Sequence, residues 1–214
     1  YRGNFAILGL PLAENLFGEA GTTTAAVVMP IAIVMINVLA VIILSIYAPS
    51  DVKKPPRETV VDILKSIVKN PLIIGSLFGL AAMLAGVELP GFVSKTVNEL
   101  SDTVFALALM SLGANFSLAA LKGRVGTSVI GALCKTVLFP VIGVGAAIAF
   151  GFRSVELGVL LVFFGAPTAV SSYIMAKNMK NDYEMASQIL LTSTLLCMFT
   201  LFVGIFVLKT LELI

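Results

Sequence analysis

Gly9-Leu10-Pro11-Leu12-Ala13 and Gly165-Ala166-Pro167-Thr168-Ala169 share the pattern G-x-P-x-A, 156 residues apart, each in mid-course of an apolar stretch. Proline has no N–H for the carbonyl four residues back, and its ring collides with that carbonyl. The carbonyls released are those of Ile7 and Phe163. A glycine two residues earlier lets the backbone unwind. One such break is a kink, whereas two at matched positions point to a site between them. In hydrocarbon the freed backbone groups must face a cavity or other protein.

Around both segments the chain reads as a membrane protein. It has 214 residues, 58% hydrophobic and 12% charged, with a mean hydropathy of +1.05. A soluble domain carries about 25% charged residues. Uncharged stretches close to the ~20 residues a spanning helix needs lie at 22–50, 70–87, 103–121, 157–176 and 185–208. A sixth, 125–152, is interrupted by Lys135 alone. The helical spacing of Val93, Val97, Leu100 and Val104 extends the 103–121 span back to near Phe92. With residues 3–17, a shorter span expected to be broken in its middle, about seven spans result. The expected fold class is an all-α polytopic membrane protein.

Composition also excludes chemistry. The net charge of +2 is scattered, so nucleic acid is not an expected partner. The chain has no histidine, which removes His-ligated zinc, Ser-His catalysis and His proton relays. Cys134 and Cys197 sit in apolar runs and read as small core residues. No enzyme activity, metal or cofactor is expected.

Residues 49–69 are the longest polar piece, with an interfacial helix expected over 58–69, where Asp62, Lys65, Ser66 and Lys69 share one face. Loops 49–69, 122–126 and 177–183, with Arg2, hold ten basic residues, against three on the other side. The positive-inside rule places these loops in the cytoplasm of a cell-membrane protein, with the C-terminus outside.

The two G-x-P-x-A helices are five spans apart and so cross the bilayer in opposite directions, as in an inverted-topology repeat. Residues 1–48 then hold the last two spans of a first repeat, 49–69 the cytoplasmic loop, and 70–214 a complete five-span second repeat. By this symmetry about three spans precede Tyr1 in a ten-span parent. Each half-helix beyond its proline is expected to present free N–H groups and about half a positive charge at mid-membrane. A small anion such as a carboxylate suits those ends.

The expected substrate-binding set is Asn4, Gly9, Pro11, Gly165, Pro167, Thr168, Ser171 and Lys135. Ser171 and Ser172 read equally as ligand groups or as hydroxyls bonded back to their helix, and Asn15 reads as packing. Lys135, the one basic residue deep in a span, is either a counter-charge for an anion or a partner for an acidic residue or freed carbonyl. Glu14 reads as solvated surface, and Asn37 and Asn115 as bridges between helices.

Tyr1 to Leu12 and Gly165 to Tyr173, followed by Ala176, resemble the auxin efflux carrier family, with Asn70-Pro71 and Lys135 to Pro140 continuing the likeness. That family includes plant auxin carriers and bacterial permeases for dicarboxylates such as malate. The resemblance implies ten spans in two inverted five-helix repeats, two crossing broken helices at the substrate site, and elevator-type alternating access. Asn4, Pro11 and Pro167 match its pattern, while Gly3 stands where the pattern carries Ser. The short 49–69 loop favours a bacterial-type permease. The expected function is secondary transport of small organic anions, with H+ or Na+ as coupling ion and a homodimer as assembly. The alternatives are a sodium-coupled carrier of the bile-acid symporter type, with the Ile7 and Phe163 carbonyls in sodium sites, and a non-transporting receptor or scaffold.

Overall fold

The computed structural model describes residues 2–47, 61, 68, 71–114 and 125–214. A π-helical turn (Phe5–Gly9) leads into α1 (Leu10–Ile46). There follow α2 (Pro71–Leu84), α3 (Gly91–Ala114), α4 (Val125–Leu133), a second π-helical turn (Cys134–Leu138) and α5 (Phe139–Ala149). The chain ends with α6 (Ser154–Gly165), α7 (Val170–Asn178) and α8 (Tyr183–Thr210). Leu10–Ile46, Val125–Ala149 and Tyr183–Thr210 are long and apolar enough to cross a membrane. Among the described residues every named element is a helix, which fits the expected polytopic membrane class. The stretch 58–69, apart from Val61 and Val68, and Asn115 lie outside the described residues, as do positions 122–124 of the expected 122–126 loop.

α1 is two helices joined by one residue. Gly18 has φ +60° and ψ −143° inside it, a conformation open to glycine and strained for other residues. The chain turns back there. A Cβ added to Gly21 would lie 2.3 Å from the Ala13 carbonyl oxygen. Ala13, Gly21 and Ala25 are all buried, and their small side chains let the two backbones meet, as between membrane helices generally. The expected spans 3–17 and 22–50 are therefore separate helices over their described parts, 5–17 and 19–46, with a far tighter turn than the sequence suggests.

The ends of the helices sort into two groups. Asn181 Nδ2 donates to the Leu44 carbonyl at 3.0 Å, which ties the α7–α8 turn to the end of α1. Asp182 caps α8, accepting from Met185 N at 3.0 Å. At the other end Ser154 N donates to Leu213 O at 2.7 Å, so the α5–α6 turn adjoins the C-terminus.

Between these ends α8 packs along α4, α5 along α6, and α6 against α1. One apolar cluster joins Phe5, Ala13 and Ala25 to Val159, Val162 and Ala166. A second joins Val144 and Ala147 to Leu157, Leu161 and Leu208. Both clusters grip α6, so its C-terminal end is held in place from two sides.

Candidate functional site

The helix path of α6 into α7 is interrupted where the sequence places Pro167. Ala166 (φ −54°, ψ 139°) and Ala169 (φ −76°, ψ 144°) are extended. Arg2 to Asn4 run antiparallel to this segment, with a single β-bridge between Gly3 and Thr168. Asn4 N donates to Pro167 O at 2.7 Å, and Ala169 N donates to Arg2 O at 2.8 Å. Two segments about 165 positions apart thus satisfy each other's backbone where no helix does. Phe5 and Phe163 stack edge-to-face beside the crossing, with ring centroids 5.2 Å apart.

Lys135 reaches the same place from the second π turn. Phe139 N donates five residues back, to Cys134 O, a widened turn just before Pro140, whose ring would collide with the Thr136 carbonyl of a regular helix. Such π-bulges recur at functional sites. The Lys135 side chain is 4% exposed, and its ammonium donates to the Phe164 carbonyl at 2.5 Å. A Cβ placed on Gly3 would stand 3.4 Å from both Lys135 Nζ and the Phe163 carbonyl oxygen.

Of the expected residues, the crossing unites Asn4, Gly165, Pro167, Thr168 and Lys135. Gly9 lies under the Phe5 ring and lines a groove of about 560 Å³ with Ala166, Pro167 and Cys197. Pro11 differs from expectation. It is exposed and helical on both sides, without a break. The π turn before it reroutes Leu10 N to Phe5 O, and the helix runs on through the proline. The segment that meets the second break is Arg2–Asn4 rather than Gly9–Ala13, and the two like-sequence motifs do not cross. Ser171 is half-buried. Asn15 Nδ2 donates to Pro11 O at 2.8 Å, a local bond in keeping with its expected packing role. Glu14 is exposed, and Asn37 is buried in α1.

The half-helix ends also differ from the expected rows of free N–H groups. Thr168 N donates to Ser193 Oγ at 3.0 Å, and Ala169 N is bonded to Arg2. What stands unpartnered is side-chain chemistry. Among the described residues Thr168 Oγ1 and Ser172 Oγ have no hydrogen-bond partner, in residues only 3% and 1% exposed. Sequence reasoning missed Ser193, which is fully buried and donates in turn to Leu190 O at 3.0 Å. Its one signal was the polar triplet Thr192-Ser193-Thr194 inside an otherwise apolar span. It also missed Arg2 and Gly3 as backbone partners, for which a sequence carries no signal.

The family of membrane transport proteins matches residues 2–205. An uncharacterized transporter of Methanocaldococcus jannaschii is 29% identical over 196 residues, which is 90% of this chain and 61% of that protein. Auxin efflux carrier component 3a of Oryza sativa subsp. japonica is 28% identical over 145 residues, 65% of this chain and 23% of its own length. Auxin efflux carrier component 1 of Arabidopsis thaliana is 26% identical over 145 residues, with the same two shares. The chain thus spans less than two thirds of these relatives.

Proposed function

The chain belongs to the membrane transport protein family, that of the auxin efflux carriers, and on that premise we propose that it forms part of a permease for small organic anions. The proposed mechanism is alternating access around the crossing of Arg2–Asn4 and Ala166–Ala169. We assign substrate contact to Thr168 first, with Asn4, Ser171 and Lys135 around it. Gly9, Gly165 and Pro167 shape the backbone that carries them. Pro11 keeps a weaker place in the set, as the residue that fixes the π turn before α1. Cytoplasmic placement of 49–69, 122–126 and 177–183, an external C-terminus and the inverted five-span repeat belong to the same proposal.

The observation that carries this reading is the pair of buried, unpartnered hydroxyls, Thr168 Oγ1 and Ser172 Oγ, beside the interrupted helix. A buried hydroxyl without a partner costs about 1–3 kcal/mol, and an anion oxygen at the crossing supplies the missing acceptor. Nearby, α7 directs the positive end of its dipole toward the same place, and Lys135 contributes a full positive charge.

Thr168→Val separates a ligand group from a packing group, because it keeps the shape and removes only the unpartnered oxygen. In proteoliposomes containing the whole protein, uptake of radiolabelled mono- and dicarboxylates should be saturable. Thr168→Val should lower it at least tenfold while the melting temperature in detergent stays level or rises. Flux unchanged by Thr168→Val would remove the crossing as the site. No flux of any carboxylate would leave a receptor or scaffold as the better reading.

A further inference from the structure

The carbonyl end of α6 sets a charge problem that the anion reading does not by itself resolve. The last carbonyls of a helix have no intrahelical donor. Here Ala166 N donates to Val162 O at 2.9 Å. The next donor in register, for Phe163 O, would be Pro167, which has no N–H. The one after that, for Phe164 O, would be Thr168 N, which is bonded to Ser193 Oγ instead. Two successive carbonyls at the negative end of a buried helix are thereby left without helical partners. Such a pair of oxygens attracts a cation.

Lys135 stands there already. Its ammonium is bonded to Phe164 O at 2.5 Å, and a Cβ added to Gly3 would stand 3.4 Å from both the ammonium and Phe163 O, which places the two close together. Among the described residues no carboxylate pairs with Lys135, and no group of three His, Cys, Asp or Glu side chains could hold a metal ion. The buried positive charge is therefore met by backbone dipoles. The geometry points to Lys135 as a tethered monovalent cation, filling the place at the end of α6 that a diffusible cation would otherwise take. Anion movement through the crossing then needs no sodium, and loss of the ammonium opens a cation site between the Phe163 and Phe164 carbonyls.

The flux arm of the test rests on the proposed anion transport, and the melting arm does not. Whole protein in proteoliposomes is assayed for carboxylate uptake with Na+, K+, Li+ or N-methyl-D-glucamine as the sole cation. Wild type should be equal in all four. Lys135→Ala and Lys135→Met should fall at least tenfold in N-methyl-D-glucamine and recover more than half of the wild-type rate in one of the small cations. Melting in detergent should show the same pattern, a midpoint raised by the small cation in the variants and unmoved in wild type. Lys135→Arg, which keeps the charge, should stay cation-independent.

A wild-type protein that requires a small cation overturns the inference. So do variants that stay inactive and unfold alike in every cation. Variants stabilised by a small cation, in a protein that moves no carboxylate at all, uphold the inference and remove the transport reading.

Discussion

Gly9-Leu10-Pro11 and Gly165-Ala166-Pro167 have the same residues at the same spacing and opposite outcomes. At the first, Gly9 stays in the right-handed helical region (φ −75°, ψ −41°) and the helix runs on. At the second, the chain opens into an extended segment. Proline removes one hydrogen bond in each case, and the difference lies in what takes over. The first segment shifts its bonding by one residue, from i→i−4 to i→i−5. The second finds donors and acceptors in Arg2 and Asn4, on a distant part of the chain. A proline thus marks where a helix is weak, and the neighbours decide whether it opens.

The largest expected contrast comes from the prolines themselves. Pro167→Ala restores an N–H that can reach Phe163 O and lets α6 propagate toward α7, so carboxylate flux should fall at least tenfold. Pro11→Ala should leave flux within about threefold, because the helix there is already continuous and proline near a helix start is tolerated. Equal losses in the two variants would break the comparison.

Ser193→Ala tests the support of the open segment. It removes the acceptor for Thr168 N–H at a fully buried position, and the orphaned donor should cost about 1–3 kcal/mol. Thermal melting in detergent reads this loss, and an unchanged midpoint would show that another group replaces Ser193.

Gly9→Ala tests the continuous segment. An added Cβ would fall 2.2 Å from the Phe5 ring, and such overpacking costs about 1–3 kcal/mol. Phe5→Leu in the same chain should recover part of that loss, a coupling that a double-mutant cycle measures. Additive losses would place the strain elsewhere.

Gly3→Ser should have the smallest effect. Its Cβ meets Lys135 Nζ and Phe163 O at 3.4 Å, an ordinary contact. The expected change in melting midpoint is under about 3 °C, on the scale of a surface substitution. A larger fall would show that the crossing tolerates no side chain at that position.

Much of the helical frame was legible in advance. Long apolar runs announce spanning helices, and α3 begins at Gly91, beside the expected Phe92. Pro167 and Thr168 were legible as a break because a proline's missing N–H is a local fact. Pro11 misled for the same reason, since a local fact does not say whether the neighbouring turn can absorb the loss. Arg2 and Gly3 were illegible as crossing partners because they contribute only backbone atoms, which every residue has. Ser193 needed the register of α8 against the break, and a serine in an apolar span ordinarily bonds to its own helix, as Ser193 also does. A turn after Phe17 was legible, but its compression onto Gly18 was hidden, because one glycine among helix-forming residues is ordinary until its φ is known.

The bridge between Gly3 and Thr168 also has a consequence in time. Asn4 N has its partner only once Pro167 exists, 163 residues later in synthesis. At about 5–20 residues per second, the interval is on the order of ten to thirty seconds. Through that interval the Arg2–Asn4 segment must keep its backbone groups hydrated at the bilayer surface or hold them in another partner's grasp. The crossing is therefore among the last features of the molecule to form, and a pause or release between residues 4 and 167 leaves the first half with an open end.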